Sequence, residues 1–304
     1  MARPKLNQLE MLVAVADAGS FGSAAAELGC TQSRISHAIT ELEEILAIRL
    51  LVRSRTGCVP TGAGHSVLAK ARLILRLTDN LVDVAEDNAT VIGRVSIACF
   101  RSVATHLLPR ALEALAIEYP GIRVDVDDSC EEREEVTQAV EEGRADIGVA
   151  HMPVGRALVT LPYVSDSYVL VTPASLALRA PVSWEQFSKL PYIQLNCSGA
   201  FAILEQCREA GFEAEVSRTL ATDSSIAAMV RQGIGYSILP RLAVFPAPDG
   251  VRIVDLPIPA RRQFALVASA ASARLKPIQI VMRFIRSKRI VKPSDAFRAG
   301  VVSW

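Results

Sequence analysis

The sequence predicts an α/β chain led by a small helical domain. Three observations point there. Short helical segments closed by glycines fill the N-terminal part, a long helical pattern follows Thr61, and beyond Gly93 strand-like and helix-like runs alternate.

In chain order, Leu6 to Ala18 sets Leu9, Leu12, Val13 and Ala16 at helical spacing, and Gly19 stops it. Ser20 opens an alanine-rich segment, Phe21 to Leu28, that Gly29 ends. Thr31 suits an N-cap, because its hydroxyl can accept a free first-turn N–H. In the helix it opens, Ile35, Ile39, Leu42 and Leu46 form one apolar stripe, leaving Gln32, Ser33, Ser36 and His37 on the remaining face. The run Arg53-Ser54-Arg55-Thr56-Gly57-Cys58-Val59-Pro60 suits a short hairpin or wing. After Thr61, Leu68, Ala71, Leu75, Thr78, Leu81 or Val82, and Ala85 come close to a heptad repeat, the pattern of helices that pair along a seam. The competing reading is one amphipathic helix packed on its own domain.

Beyond Gly93, Val95 to Cys99, Ile122 to Val126 and Asp146 to Ala150 read as strands, separated by helices over His106 to Ile117 and Glu134 to Glu142. This alternation predicts a sheet of buried parallel strands. Tyr168 to Val171, Tyr192 to Leu195 and Phe264 to Ala268 read as further strands. Ala200 to Ala210, Ser225 to Gln232 and Ile278 to Ile285 read as helices.

Composition bounds the function. A chain of 304 residues suggests two or three domains, and 50% hydrophobic residues can build sizeable cores. The net charge of +1 does not advertise nucleic-acid binding, so that case rests on local charge. The cysteines are scattered without a C-x-x-C, which removes zinc-site spacing and reads as a reduced, cytoplasmic protein. No run is apolar enough to span a bilayer, the N-terminus has no export signal, and no metal or cofactor is expected. Enzyme signatures are also missing: no P-loop, no G-x-S-x-G, no H-E-x-x-H, no G-x-G-x-x-G.

Two short helices joined by Gly29-Cys30-Thr31 form a helix-turn-helix, whose second helix can enter a major groove by its first turn. Gln32, Ser33, Ser36 and His37 offer groups that hydrogen-bond base edges, and Arg34, Arg53 and Arg55 offer charge for phosphates.

Ser20-Phe21, Ala24-Ala25, Leu28, Thr31-Gln32-Ser33 and Ser36 stand in the order of a known signature. It continues through Leu42-Glu43, Leu50, Arg53 and Thr61-Gly62-Ala63-Gly64. In these residues the chain resembles the LysR-type transcriptional regulators. Leu51 departs from a usual phenylalanine and Pro60 from a usual leucine. Farther on, Arg144-Ala145-Asp146-Ile147-Gly148-Val149 and Gly233-Ile234-Gly235-Tyr236-Ser237-Ile238-Leu239-Pro240 are similar to that family's effector domain.

The resemblance implies a winged helix-turn-helix over 1–62, a linker and dimerisation helix over 63–90, and an effector domain over 91–304. That last part is expected to have two α/β lobes like periplasmic binding proteins, lobe I about 91–161 with 264–304 and lobe II about 162–263. The implied partners are double-stranded DNA bearing an inverted repeat, a small-molecule effector, further copies of the chain in a dimer or tetramer, and RNA polymerase. Element ends, where α/β sheets bind ligands, nominate Ser102, Ser129, His151, Ser198 and Thr222 for an anionic or polar effector. Ser102 is expected to cap the helix after the first strand, and His151 to donate to the anion. Two other functions remain in play. One is thiol-based redox sensing through Cys197 and Cys207, a region where peroxide-sensing members keep their reactive pair. The other is solute binding without DNA, which the helix-turn-helix and the missing export signal oppose.

Overall fold

The computed structural model describes residues 3–54, 57–84 and 91–304, with Arg53 and residues 79–84 described by backbone alone. Arg55 and residues 85–90 of the expected linker helix lie outside the described residues.

The N-terminal domain packs α1 (Leu6–Ala18), α2 (Phe21–Glu27) and α3 (Gln32–Leu46) against a hairpin of β1 (Leu51–Ser54) and β2 (Gly57–Pro60). Local chemistry sets each boundary. Gly19 ends α1 in the left-handed region, at φ 68°, which costs glycine nothing. The Ser20 and Thr31 hydroxyls accept the Ser23 and Arg34 amides, capping α2 and α3. Leu12, Val15, Ala24, Ile35, Ile39 and Leu42 form the core. Gly57 brings the wing onto α1: the Cys58 amide donates to the Gly19 carbonyl at 2.7 Å, and a Cβ at Gly57 would come 2.5 Å from that same oxygen.

Helix α4 (Gly62–Val84) leaves this domain. Thr61 Oγ1 accepts the Gly64 amide at 2.9 Å and donates to the Arg49 carbonyl at 2.8 Å. A Cβ on Gly64 would stand 2.0 Å from the Leu50 carbonyl oxygen, so the close crossing requires glycine. The expected heptad stripe is spent differently from the prediction. Leu68 and Ala71 are buried in the N-terminal core and Leu75 packs against it, because α1 lies along this face. Among the described side chains of α4, Ile74 and Leu77 are the large apolar ones left exposed.

Lobe I contains β3 (Gly93–Phe100), α5 (Arg101–His106), α6 (Pro109–Glu118), β4 (Ile122–Cys130), α7 (Arg133–Glu141) and β5 (Ile147–His151). The helix expected over His106 to Ile117 starts later, at Pro109, which fits only a first helical turn, and a separate helix, α5, precedes it. Strand β6 (Val159–Pro173) then runs through both lobes.

Lobe II adds β7 (Tyr192–Leu195), α8 (Ser198–Glu209), β8 (Val216–Leu220), α9 (Asp223–Arg231), β9 (Ser237–Pro240) and β10 (Val251–Asp255). Strand β11 (Arg261–Ala268) returns to lobe I, followed by α10 (Lys276–Ile285), α11 (Lys288–Val291) and α12 (Asp295–Arg298).

Strand β3 pairs parallel with β4 and β5, while β11 pairs antiparallel with β5 and β6. The sheet is therefore mixed rather than wholly parallel, because β11 arrives from the other lobe instead of over a helix on the same face. Where β6 and β11 cross between lobes, Arg262 binds Asp166 through two 2.8 Å hydrogen bonds, with both side chains buried. From α4, Arg72 donates to the Glu142 carbonyl at 2.7 Å, and Arg76 pairs with Asp146 at 3.0 Å. Arg72 also binds Asp17 of α1, so one guanidinium touches α1 and the turn after α7.

Candidate nucleic-acid interface and interlobe cleft

The start of α3 presents a polar face because its apolar stripe is consumed in the core. Ile35, Ala38, Ile39 and Leu42 are buried, while Gln32, Ser33, Arg34 and His37 are exposed and Ser36 is half-buried. Three of the exposed four lie in the first turn beyond Thr31, the position from which a helix enters a major groove. The β1 backbone carries Arg53 in the hairpin opposite Cys58. Glu43 fixes hairpin to helix, its Oε1 accepting the Leu50 amide at 2.7 Å and the Leu51 amide at 3.2 Å.

A second site lies between the lobes, at the ends of β3, β4 and β5 and the starts of α5, α7, α8 and α9. It has an inner cavity of about 80 Å³ and an outer groove of about 690 Å³, both bordered by His151, Tyr168, Gly199 and Arg262. Ser102, Thr222 and Cys197 also line the inner cavity, and Ser198 lines the outer groove. Ser129 borders neither: it is exposed, and its hydroxyl and amide both go to Asp127. Ser102 does not cap α5, since it is the second residue of that helix and Phe100 holds the cap position. Thr222 does cap α9, accepting the Ser225 amide at 3.3 Å.

His151 differs from the expected cationic donor. Its ring stacks on Phe100 at 5.5 Å, and burial together with the Arg262 charge lowers its pKa to about 4. Near neutral pH it is an uncharged ring, able to give or accept one hydrogen bond.

The seat at Ser198 is already filled. Glu132, leading into α7 of lobe I, reaches across to α8 of lobe II. Its Oε1 accepts the Ser198 amide at 2.8 Å and its Oε2 accepts the Ser198 hydroxyl. This is the anion-binding chemistry expected of the α8 start, supplied by the chain itself. Sequence reasoning missed Arg101 and Arg262, which line the inner cavity together with Asp223, the residue after Thr222. Asp223 Oδ1 is buried without a hydrogen-bond partner, and burial raises the pKa of this carboxyl. Gly199 has a steric reason, since a Cβ there would meet the Tyr168 hydroxyl at 2.7 Å. The α8 pattern alone could have flagged the Ser-Gly start. Nothing local marks Glu132 or Arg262 as neighbours of it.

Cys197 and Cys207 are both free thiols. They stand at the N-cap and deep within α8, which puts them roughly 15 Å apart along the axis at 1.5 Å per residue. A disulfide needs Cα atoms within about 7 Å, so α8 would have to unwind. Burial raises the pKa of both thiols, that of Cys207 to about 11, which disfavours the reactive thiolate.

The sequence matches "Bacterial regulatory helix-turn-helix protein, lysR family" over residues 6–65 and "LysR substrate binding domain" over residues 88–289. It is 37% identical over 270 residues to the "Probable HTH-type transcriptional regulator LrrA" of Synechococcus elongatus, covering 87% of this chain and 91% of that one. Among solved structures, ArgP of Mycobacterium tuberculosis is similar with a TM-score of 0.69 at 22% identity, over 94% of this chain and 98% of the other. A full-length OxyR of Pseudomonas aeruginosa gives a TM-score of 0.69 at 19% identity, over 93% and 98%.

Proposed function

The chain belongs to the LysR family of transcriptional regulators with an effector-binding domain, and on that premise we propose how its parts divide the work. Residues 1–62 bind DNA, residues 63–90 pair copies of the chain, and residues 91–304 sense a small molecule held between the lobes. Gln32, Ser33, Ser36 and His37 read base edges in the major groove, while Arg34, Arg53 and Arg55 contact phosphates. The single observation that carries this reading is the capped α3, whose first turn is polar and exposed while its other face is buried.

Ile74 and Leu77 stand one turn apart on α4, exposed, where a second copy would cover them. A symmetric pair of chains reads an inverted repeat, and two pairs make a tetramer that can bridge two such sites. Effector binding in the cleft shifts the balance between lobe arrangements, and through Arg72 and Arg76 that shift reaches α4. The output is transcription control in the cytoplasm, with RNA polymerase as the further partner.

Selection of binding sites from a random duplex library tests the DNA half of this reading. Enrichment of an inverted repeat supports it, and binding without sequence enrichment contradicts it.

A further inference from the structure

The interlobe cleft mixes both signs of charge. Glu131, Glu132 and Asp223 border the inner cavity with Arg101 and Arg262, while Glu134 borders the outer groove with Arg133 and Arg261. Arg262 is already matched by its two hydrogen bonds to Asp166, and Arg133 pairs with Glu134. An acidic ligand added to this set would face carboxylates as well as arginines. An acidic ligand exchanged for one of those carboxylates would leave the local charge unchanged.

Glu132 is the residue placed for such an exchange. It belongs to lobe I, yet both its carboxylate oxygens are bonded to Ser198 at the start of α8 in lobe II. It borders the inner cavity while Ser198 borders the outer groove, so the contact stands at the boundary between the two spaces. The backbone beneath it is held independently: Glu135 Oε2 accepts the Glu131 amide at 2.7 Å and the Glu132 amide at 3.0 Å. The Glu132 side chain is only half-buried; as the N-cap of α7 it gives up its own half of a capping box when it turns to water, while the Glu135 half still holds the backbone. With it in place the inner cavity is about 80 Å³, small beside the roughly 300–1,000 Å³ of ordinary ligand pockets.

We propose that the Glu132 carboxylate is an interlobe latch, which closes the cleft in the effector-free protein and is displaced by the acidic group of the effector. The inference rests on the reading that the cleft takes the effector. It adds that the effector carries a carboxylate or a comparable oxyanion, and that this group ends on the Ser198 amide and hydroxyl. Opening the latch then costs little, because the two hydrogen bonds lost by Glu132 are regained by the ligand while Glu132 is hydrated.

The test is chemical rescue in the full-length protein. Glu132→Ser removes the carboxylate while keeping a favourable N-cap for α7. Thermal unfolding is followed with sodium acetate against sodium chloride at fixed ionic strength. The latch predicts that acetate raises the melting temperature of Glu132→Ser saturably, that it leaves the wild type unmoved, and that Glu132→Ser/Ser198→Ala needs at least tenfold more acetate. Equal acetate responses in Glu132→Ser and wild type overturn it. If Glu132→Ser does not fold, Glu132→Gln, which is isosteric and uncharged, is measured in its place. Footprinting on a selected operator separates the two claims. Acetate rescue with an unchanged footprint upholds the latch and counts against cleft control of DNA binding. A footprint that moves with other ligands, without rescue, removes the latch alone.

Discussion

The helix proposed to read DNA and the interlobe cleft both place polar residues at helix starts, but they are assembled by opposite means. In the N-terminal domain three motif residues serve neighbours close in sequence. Thr31 caps the helix it opens, Glu43 holds the amides of Leu50 and Leu51, and Gly64 makes room for the Leu50 carbonyl. In the cleft the decisive contacts join residues far apart, as Glu132 joins Ser198 and Arg262 joins Asp166. A local site tolerates little substitution at its turns. A distant one depends on buried charge and on which carboxylate occupies which seat.

The sharpest way to break this contrast is at the crossing of the lobes. Arg262→Met leaves the Asp166 carboxylate buried without its cation and is expected to cost about 3–5 kcal/mol. Denaturant titration measures it, and because the pair lies far from α3, DNA binding by the folded fraction should persist. The local side has a matched pair in one motif. Gly64→Ala forces a Cβ against the Leu50 carbonyl and should cost about 3 kcal/mol, with loss of DNA binding. Gly62→Ala meets nothing within 4 Å and should stay within about 0.5 kcal/mol of wild type.

A smaller effect comes from His151. Its folded pKa of about 4 lies below the ordinary 6.5, so the unfolded chain takes up its proton first as pH falls. Stability from the neutral ring is complete above pH 6.5 and is lost as pH falls toward 4. His151→Phe keeps the stack on Phe100 and removes the titration. The stability gap between variant and wild type should move in the variant's favour by on the order of 2 kcal/mol between pH 7 and pH 4. A gap that stays flat with pH contradicts the assignment. The smallest effects compare two hydroxyls. Thr222→Ala removes the α9 cap and should cost about 1 kcal/mol and weaken the effector response, whereas Ser129→Ala, outside the cleft, should stay within about 0.5 kcal/mol and respond normally.

The same contrast explains what the sequence disclosed. Glycine stops, hydroxyl caps and the stripe from Ile35 to Leu42 have local physical causes, so α1 to α3 and the wing were legible. The order of strands and helices in lobe I was legible as well, because apolar periodicity is local. Relations between distant segments were not. The direction of β11 depends on the chain's return from lobe II, and the burial of Leu68 and Ala71 depends on α1 lying along α4. The cleft was read in part: Ser102, His151 and Thr222 reach the inner cavity as element ends should. Ser129 does not, because the chain runs on as β4 to Cys130 and turns its hydroxyl to Asp127. The charge of His151 and the occupant of Ser198 are products of packing between lobes, which no window of sequence contains.

On the proposal above, the exposed first turn of α3 reads bases while flanking arginines hold the backbone. Affinity for a selected operator, measured against salt and against single-base operator variants, tests this division of roles. Gln32→Ala should lose about 1–3 kcal/mol of discrimination at particular base pairs and keep the wild-type salt slope. Arg34→Ala should weaken all sequences alike and reduce the slope of log affinity against log salt by about one phosphate contact. If both variants bind every operator with wild-type affinity and wild-type salt dependence, α3 does not read DNA.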